Sequence, residues 1–137
     1  MDKISSVCLA MKILQKEQKI LTERDQGLKF IKKSRKMDTI PFMLFNIDSQ
    51  KPFMVYYKEQ ATPYFRLEKF NEETCCAELS LLEAIDMDGY PVDSYEDVYS
   101  LRKTDTCIIV VLSCFCVINP LSPELVNKPL PRIEPKS

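Results

Sequence analysis

The sequence predicts a mainly β domain, a β-sandwich or Greek-key-like barrel of about six to seven strands, with an N-terminal amphipathic α-helix. Two observations carry this prediction. Apolar residues recur at alternating steps of three and four near the N-terminus, and from residue 39 onward they change to strand-like runs and alternation. Turn residues separate those runs at the short spacing of all-β folds. The length of 137 residues fits one domain.

The predicted helix spans residues 3–22, and charged residues occupy the side opposite its apolar seam. The seam consists of Ile4, Val7, Met11, Leu14 and Leu21, and Gln18 interrupts it. Such a helix packs either on its own domain or on a neighbouring subunit, and the sequence leaves both alternatives open. A basic connector follows over residues 23–38, which we interpret as solvated rather than as a phosphate-binding segment.

Residues 39–126 form the predicted β-rich core domain. Its strands are Thr39–Ile47, Phe53–Tyr57, Tyr64–Phe70, Cys75–Ile85, Tyr95–Leu101 and Thr106–Ile118. We expect the first two to form a hairpin and Asp88-Gly89 to form a turn. The last strand is the richest in β-branched residues, as expected of a central strand. Residues 127–137 are rich in proline, which cannot donate to a strand ladder, and they predict an extended, mobile tail.

Several classes of function are excluded by what the sequence lacks. It has no His, the commonest general base and metal ligand, and its two Gly cannot build a phosphate-binding loop. Its 19 basic and 20 acidic residues lack the basic excess of a nucleic-acid-binding domain. Glu68 and Asp105 could be named as a catalytic acid pair, but nothing in the sequence places them together. We therefore expect no enzyme activity, no cofactor and no nucleic-acid partner.

The apolar segments also bear on location. The longest apolar run, residues 107–118, is shorter than the roughly 20 residues that a membrane span needs. The charged N-terminus lacks the apolar segment of a secretory signal peptide. We expect no membrane association, and synthesis in a cytoplasm.

Six cysteines are many for a chain without an export signal: Cys8, Cys75, Cys76, Cys107, Cys114 and Cys116. Three interpretations stay open, namely buried free thiols, metal thiolates and delayed cross-linking. On one continuous strand, Cys114 and Cys116 would face the same side and Cys107 the other, while Cys75 and Cys76 would face opposite sides. A zinc site is disfavoured, because there is no Cys-x-x-Cys pair and no His. Asp86-Met87-Asp88-Gly89 with Asp93 lacks the spacing of a calcium loop and is interpreted as a turn.

Three groups of segments carry a resemblance to a known family. They are Asp38-Thr39-Ile40-Pro41-Phe42; Tyr64–Lys69 followed by Cys75–Leu82; and Leu101–Cys107 followed by Leu112–Asn119, with its Cys-Phe-Cys, and Leu121–Val126. Together they resemble the CotY/CotZ/ExsY family of spore coat and exosporium proteins over nearly the whole chain. The chain departs from that family's pattern where both cysteines around Gly27 are missing, where Pro120 replaces a Cys, and where the tail lacks His. It resembles a divergent, cysteine-poorer member.

The resemblance implies a structural, self-assembling protein of the outer layers of the bacterial endospore. It implies synthesis in the mother-cell cytoplasm with reduced thiols, and later disulfide cross-linking within or between subunits through the six cysteines. The implied partners are further copies of the chain or paralogous coat and exosporium proteins. The missing family cysteines suggest an alternative, in which the protein is an adaptor that anchors an appendage or surface glycoprotein to this layer.

Overall fold

The computed structural model describes residues 6–27 and 37–131. Within these residues, one α-helix, α1 (Ser6–Gly27), precedes seven strands: β1 (Phe42–Asn46), β2 (Val55–Tyr57), β3 (Gln60–Thr62), β4 (Tyr64–Asn71), β5 (Cys76–Ile85), β6 (Ser100–Val111) and β7 (Phe115–Pro120). Single 3₁₀ turns lie at Tyr95–Asp97, Leu112–Cys114 and Pro123–Leu125. The prediction of a mainly β fold with an N-terminal helix is confirmed.

Five strands form one antiparallel sheet in the order β6-β5-β4-β1-β7, and β2 and β3 form a separate hairpin. The predicted hairpin of the first two strands forms at its turn, where Phe45 and Pro52 make an antiparallel bridge and the Phe53 N–H donates to Leu44 O at 2.7 Å. Beyond Phe53 the predicted pairing is wrong, because β2 pairs with β3, and β1 pairs with β7 and, at Phe42, with β4. The predicted strand Tyr95–Leu101 is also wrong in its first half, which is a 3₁₀ turn. Its last two residues begin β6.

The predicted single strand Thr106–Ile118 is two strands, joined by the three residues Leu112–Cys114. Pairing with β5 ends at Val111, opposite Cys76, where β5 begins. The chain then crosses the end of the sheet to reach its other edge, β7. An extended segment from Val111 to Phe115 spans at most about 14 Å, whereas the edges of a flat five-stranded sheet lie about 19 Å apart. The sheet must therefore roll up at this end.

Helix α1 packs on the sheet of its own chain, the first of the two alternatives left open by the sequence. Val7, Met11 and Leu14 are buried in the core against β1, β4 and β5 residues such as Phe42 and Phe65. The rest of this core cluster consists of Leu44, Leu67, Ala77, Leu79, Leu81, Val110, Leu112 and Phe115. Burial of this seam, rather than helix propensity, stabilises the helix.

Gln18 explains the interruption of the helix seam. Its side-chain Nε2 donates to the backbone oxygen of Leu67 at 3.0 Å, and its Oε1 accepts from the backbone N–H of Ile40 at 3.0 Å. Only one orientation of the amide satisfies both partners, since one is an acceptor and the other a donor. The polar residue therefore ties α1 to β4 and to the segment that leads into β1.

The helix extends to Gly27, into the segment predicted as connector, because residues 23–26 contain no helix-breaking residue. Residues 3–5 of the predicted helix and 28–36 of the connector lie outside the described residues, as do 132–137 of the tail. The described start of the tail contacts β6 and the residue that precedes it: the Asn127 N–H donates to Leu101 O at 2.8 Å, and the Tyr99 hydroxyl donates to Pro129 O at 3.1 Å. Among the described helices, none has the length and apolar character to cross a membrane.

Candidate functional site

Five of the six cysteines lie at one end of the rolled sheet, which we call the cysteine end: Cys8, Cys75, Cys76, Cys114 and Cys116. One end of each of the five strands of the sheet lies here. Leu112 N–H donates to Cys75 O at 2.9 Å, and Ile47 N–H donates to Cys114 O at 3.3 Å, so the Leu112–Cys114 turn bridges the start of β5 and the end of β1. Topology thus brings together cysteines that are far apart in sequence.

Cys8 and Cys75 form an internal pair. Their sulfurs are at bonding distance and their Cα atoms are 5.8 Å apart, within the range of a disulfide. Cys75 precedes β5 in a turn with a positive φ of 54°. Cys8 lies in the first turn of α1 and is 3% exposed. A bond across the sequence separation of 67 would stabilise the fold by about 4 kcal/mol in the chain-entropy account.

The other thiols of the cysteine end are free and accessible. Cys114 and Cys116 are exposed, and Cys76 is partly exposed. The Cys116 thiol lies 3.7 Å from Phe45 O and 3.6 Å from Asn46 O, as a weak donor to the end of β1. The expectation that Cys114 and Cys116 share one strand face is wrong, because Cys114 belongs to the 3₁₀ turn and only Cys116 to β7.

Cys107 stands apart from this group. It lies in the middle of β6 opposite Ser80, and its side chain is exposed. Desolvation, followed by the negative charges of Glu78, Glu68 and Asp105, raises the pKa of the Cys107 thiol. Since the thiolate is the nucleophile, we expect this environment to slow the reaction of Cys107 with oxidants and alkylating agents.

A polar network lies beside Cys107 on the sheet surface. Lys103 Nζ donates to Asp38 Oδ1 at 2.6 Å, and Thr39 donates to the same oxygen at 2.8 Å. Arg66 Nε donates to Thr39 Oγ1 at 2.6 Å, and Arg66 Nη1 forms an ion pair with Glu68 Oε2 at 2.5 Å. Ser80 also donates to Glu68, at 2.7 Å. The network links the segment before β1 to β4, β5 and β6.

The network keeps two carboxylates ionised. Burial opposes ionisation of Asp38, but hydrogen bonds from Lys103 and Thr39 and the charges of Lys103 and Arg66 hold its pKa below the usual value. The pKa of Glu68 is likewise lowered, against burial, by Arg66, by Ser80 and by the charge of Lys103. Because both folded-state pKa values are depressed, their contribution to stability is present above the ordinary pKa values, near pH 4, and is lost as the pH falls through the folded values.

Glu68 and Asp86, two other candidates named from the sequence, have structural roles. Glu68 and Asp105 line the same shallow depression, but Glu68 is engaged by Arg66 and Ser80. The Asp86 carboxylate accepts the backbone N–H groups of Asp88 and Tyr90, at 2.9 and 3.0 Å, so it serves the turn at Gly89 (φ 88°). Among residues 6–27 and 37–131, no three His, Cys, Asp or Glu side chains are placed to hold a metal ion.

Comparisons with known proteins agree with the sequence segments. The sequence model of the family described as Spore coat protein Z matches residues 15–123. The chain belongs to this family. It is 36% identical over 104 residues to the Spore coat protein Z of Bacillus subtilis (strain 168), which covers 66% of this chain and 68% of the relative. No solved structure matches the chain.

The family segments converge on the polar network. Asp38 and Thr39 come from the first segment, Arg66 and Glu68 from the second, and Lys103 from the third. The sequence alone did not predict this network, although all five of these residues lie in the segments that resemble the family. Their shared presence in those segments is the feature of the sequence that could have indicated it. The match to residues 15–123 contains five of the six cysteines and leaves out Cys8.

Proposed function

We propose that the protein is a structural, self-assembling subunit of the outer layers of the bacterial spore, in which the cysteine end cross-links neighbouring subunits. Membership of the spore coat protein Z family supports a structural role in the spore coat, rather than a catalytic one. The observation that carries the cross-linking proposal is the exposure of Cys114 and Cys116 beside Cys76, while Cys8 and Cys75 are paired internally.

The proposed chemistry is delayed oxidation. The thiols are reduced during synthesis in the mother-cell cytoplasm and oxidise after the subunits have packed around the spore. Each cross-link forms when two thiols from neighbouring subunits lose two protons and two electrons to molecular oxygen, giving one disulfide and hydrogen peroxide. Such bonds do not direct assembly. They make an assembly already held by packing insoluble unless it is reduced.

The proposed partners are further copies of this chain or paralogous coat and exosporium proteins that present free thiols. A subunit with three accessible thiols at one end can link to more than one neighbour, which extended layers require. The net charge of −1 supports close packing of copies, because little charge repulsion opposes it.

The test is oxidation of the anaerobically purified full chain in air, followed by reducing and non-reducing gels and negative-stain microscopy. We expect ladders that collapse with reductant, and ordered assemblies in the images. Replacing Cys114 and Cys116 together by Ser should abolish most of the ladder, whereas the matched Cys107→Ser variant should retain it. A monomer under all conditions would overturn the proposal and favour the adaptor, and a ladder that depends on Cys107 instead would refute the role of the cysteine end.

A further inference from the structure

Strand β6 forms one edge of the five-stranded sheet, and only its first part is covered. Leu101 bridges Val126, the Asn127 N–H donates to Leu101 O at 2.8 Å, and the Lys103 N–H donates to Asn127 Oδ1 at 3.2 Å. Beyond Lys103, no strand of the part of the chain that the structure describes pairs with this edge. The second half of β6 therefore presents an open strand edge.

The hydrogen bonds between β5 and β6 show which backbone groups of β6 point toward the open edge. Leu112 N–H donates to Cys75 O, one step beyond the Val111–Cys76 position of the ladder. Residues of an antiparallel strand turn their backbone groups alternately to the two sides. The N–H and C=O groups of Cys107, Ile109 and Val111 accordingly point away from β5, into the open edge.

The same three residues carry exposed side chains. Ile109 is 76% exposed and Val111 is 49% exposed, and Cys107 lies on the same solvent-facing side. The intervening Ile108 and Val110 pack into the core. Residues 106–111, Thr-Cys-Ile-Ile-Val-Val, contain no charge and no proline, the features by which natural edge strands avoid pairing with other molecules.

We propose that this edge is where two copies of the chain associate, through antiparallel pairing of β6 with β6 of the second copy about a two-fold axis at Ile109. The proposal rests on the self-assembly proposed above and names the non-covalent contact that precedes cross-linking. A two-fold contact must be self-complementary. In this register Ile109 lies opposite Ile109 of the second copy, and Cys107 lies opposite Val111 of the second copy. No charged residues therefore face each other between residues 107 and 111.

Charge also distinguishes this register from its neighbours. An axis at Cys107 would place the carboxylate of Asp105 against Ile109 of the second copy. With the axis at Ile109, the paired segment ends at Cys107 opposite Val111, where β6 ends, so Asp105 lies beyond it. The two Cys107 residues then lie about 13 Å apart along the strands, too far for a disulfide. The association therefore does not depend on oxidation, and the cysteine ends remain available to link one pair of subunits to the next.

The first test is sedimentation velocity of the full chain in reductant, over a range of concentrations. The weight-average mass should rise from 15.9 kDa toward twice that value. Ile109→Lys places like charges opposite each other at the axis and should weaken association at least about tenfold. The matched Val117→Lys variant, at an exposed apolar position on the other edge strand, should associate like the wild type. Circular dichroism and thermal melting show whether each variant is folded.

The second test probes the register. Ile109→Cys, in a background where Cys76, Cys107, Cys114 and Cys116 are replaced by Ser, should give a reducible dimer in air, with oxygen again accepting the electrons. A background retaining only Cys107 among these four should give no disulfide-linked dimer on a non-reducing denaturing gel. Cross-linking through Cys107 but not through position 109 would overturn the register.

A wild type that stays monomeric in reductant, or an Ile109→Lys variant that associates normally, would overturn the edge contact. Ladders after oxidation would then leave the proposed cross-linking function standing. A reductant-insensitive dimer without ladders would give the opposite result, supporting the edge contact and refuting the cross-linking. The two proposals therefore fail by different observations.

Discussion

The substitution Gln18→Met has opposite expected effects on stability when judged from the sequence and from the structure. In the sequence, Gln18 interrupts an apolar seam, so an apolar residue there should stabilise the packing of the helix. The structure instead predicts destabilisation, because Met leaves the Ile40 N–H and the Leu67 C=O without their partner. Gln and Met have similar helix propensities, so the helix itself changes little.

The magnitude follows from the two lost contacts. A buried backbone group left without a hydrogen bond costs about 1–3 kcal/mol, and this site is only partly buried, which places each group at the lower end. We expect about 2 kcal/mol in total. With a urea m-value of about 2 kcal/mol/M, the unfolding midpoint should fall by roughly 1 M.

The assay is urea unfolding of both proteins in reductant, so that the Cys8–Cys75 pair does not differ between samples. Gln15→Met on the exposed side of α1 is the matched control and should change the midpoint by less than about 0.3 M, within the range of surface substitutions. A Gln18→Met variant as stable as the wild type, with an unchanged m-value, would refute the assigned hydrogen bonds.

Three further predictions concern the core, the network and the thiols. Met11→Ala, at a fully buried position, should lower the free energy of unfolding by about 3 kcal/mol, whereas Ile13→Ala, 58% exposed, should change it by less than about 0.5 kcal/mol; equal effects in urea unfolding would show that α1 does not pack as described. Asp38→Asn removes a carboxylate with a depressed pKa, so stability should fall less between pH 5 and pH 3 than in the wild type, and identical losses would contradict the network. Glu78→Gln should speed iodoacetamide alkylation of Cys107 in the reduced protein near pH 8, as followed by peptide mass spectrometry, and an unchanged rate would remove Glu78 as a cause of the raised thiol pKa.

Local patterns predicted those features whose cause is local. The seam Val7, Met11 and Leu14 is buried as its spacing indicates, because helical periodicity fixes which residues share a side. The alternation of Ala77, Leu79 and Leu81 likewise marks the buried side of β5. The Asp-Gly turn at Gly89 has the positive φ that its residues favour.

Tertiary structure decided the features that depend on distant partners. The run of β-branched residues from 106 to 118 predicts one strand. The position where it breaks depends on the partner strand β5, which begins at Cys76, opposite Val111. The failed expectation for Cys114 and Cys116 follows from this break. The pairing of Cys8 with Cys75, across a sequence separation of 67, depends on where α1 docks, which no local pattern encodes.

The sequence by itself determined the fold class, the buried side of α1 and the family. It also shows which residues are cysteines, but not which of them lie close together. The tertiary structure decided which five of them meet at one end, which two pair, and that β6 is an edge strand rather than a central one. The physical reason is that periodicity reports which way a side chain faces within its own element, whereas proximity and edge position depend on strand order, which long-range packing sets.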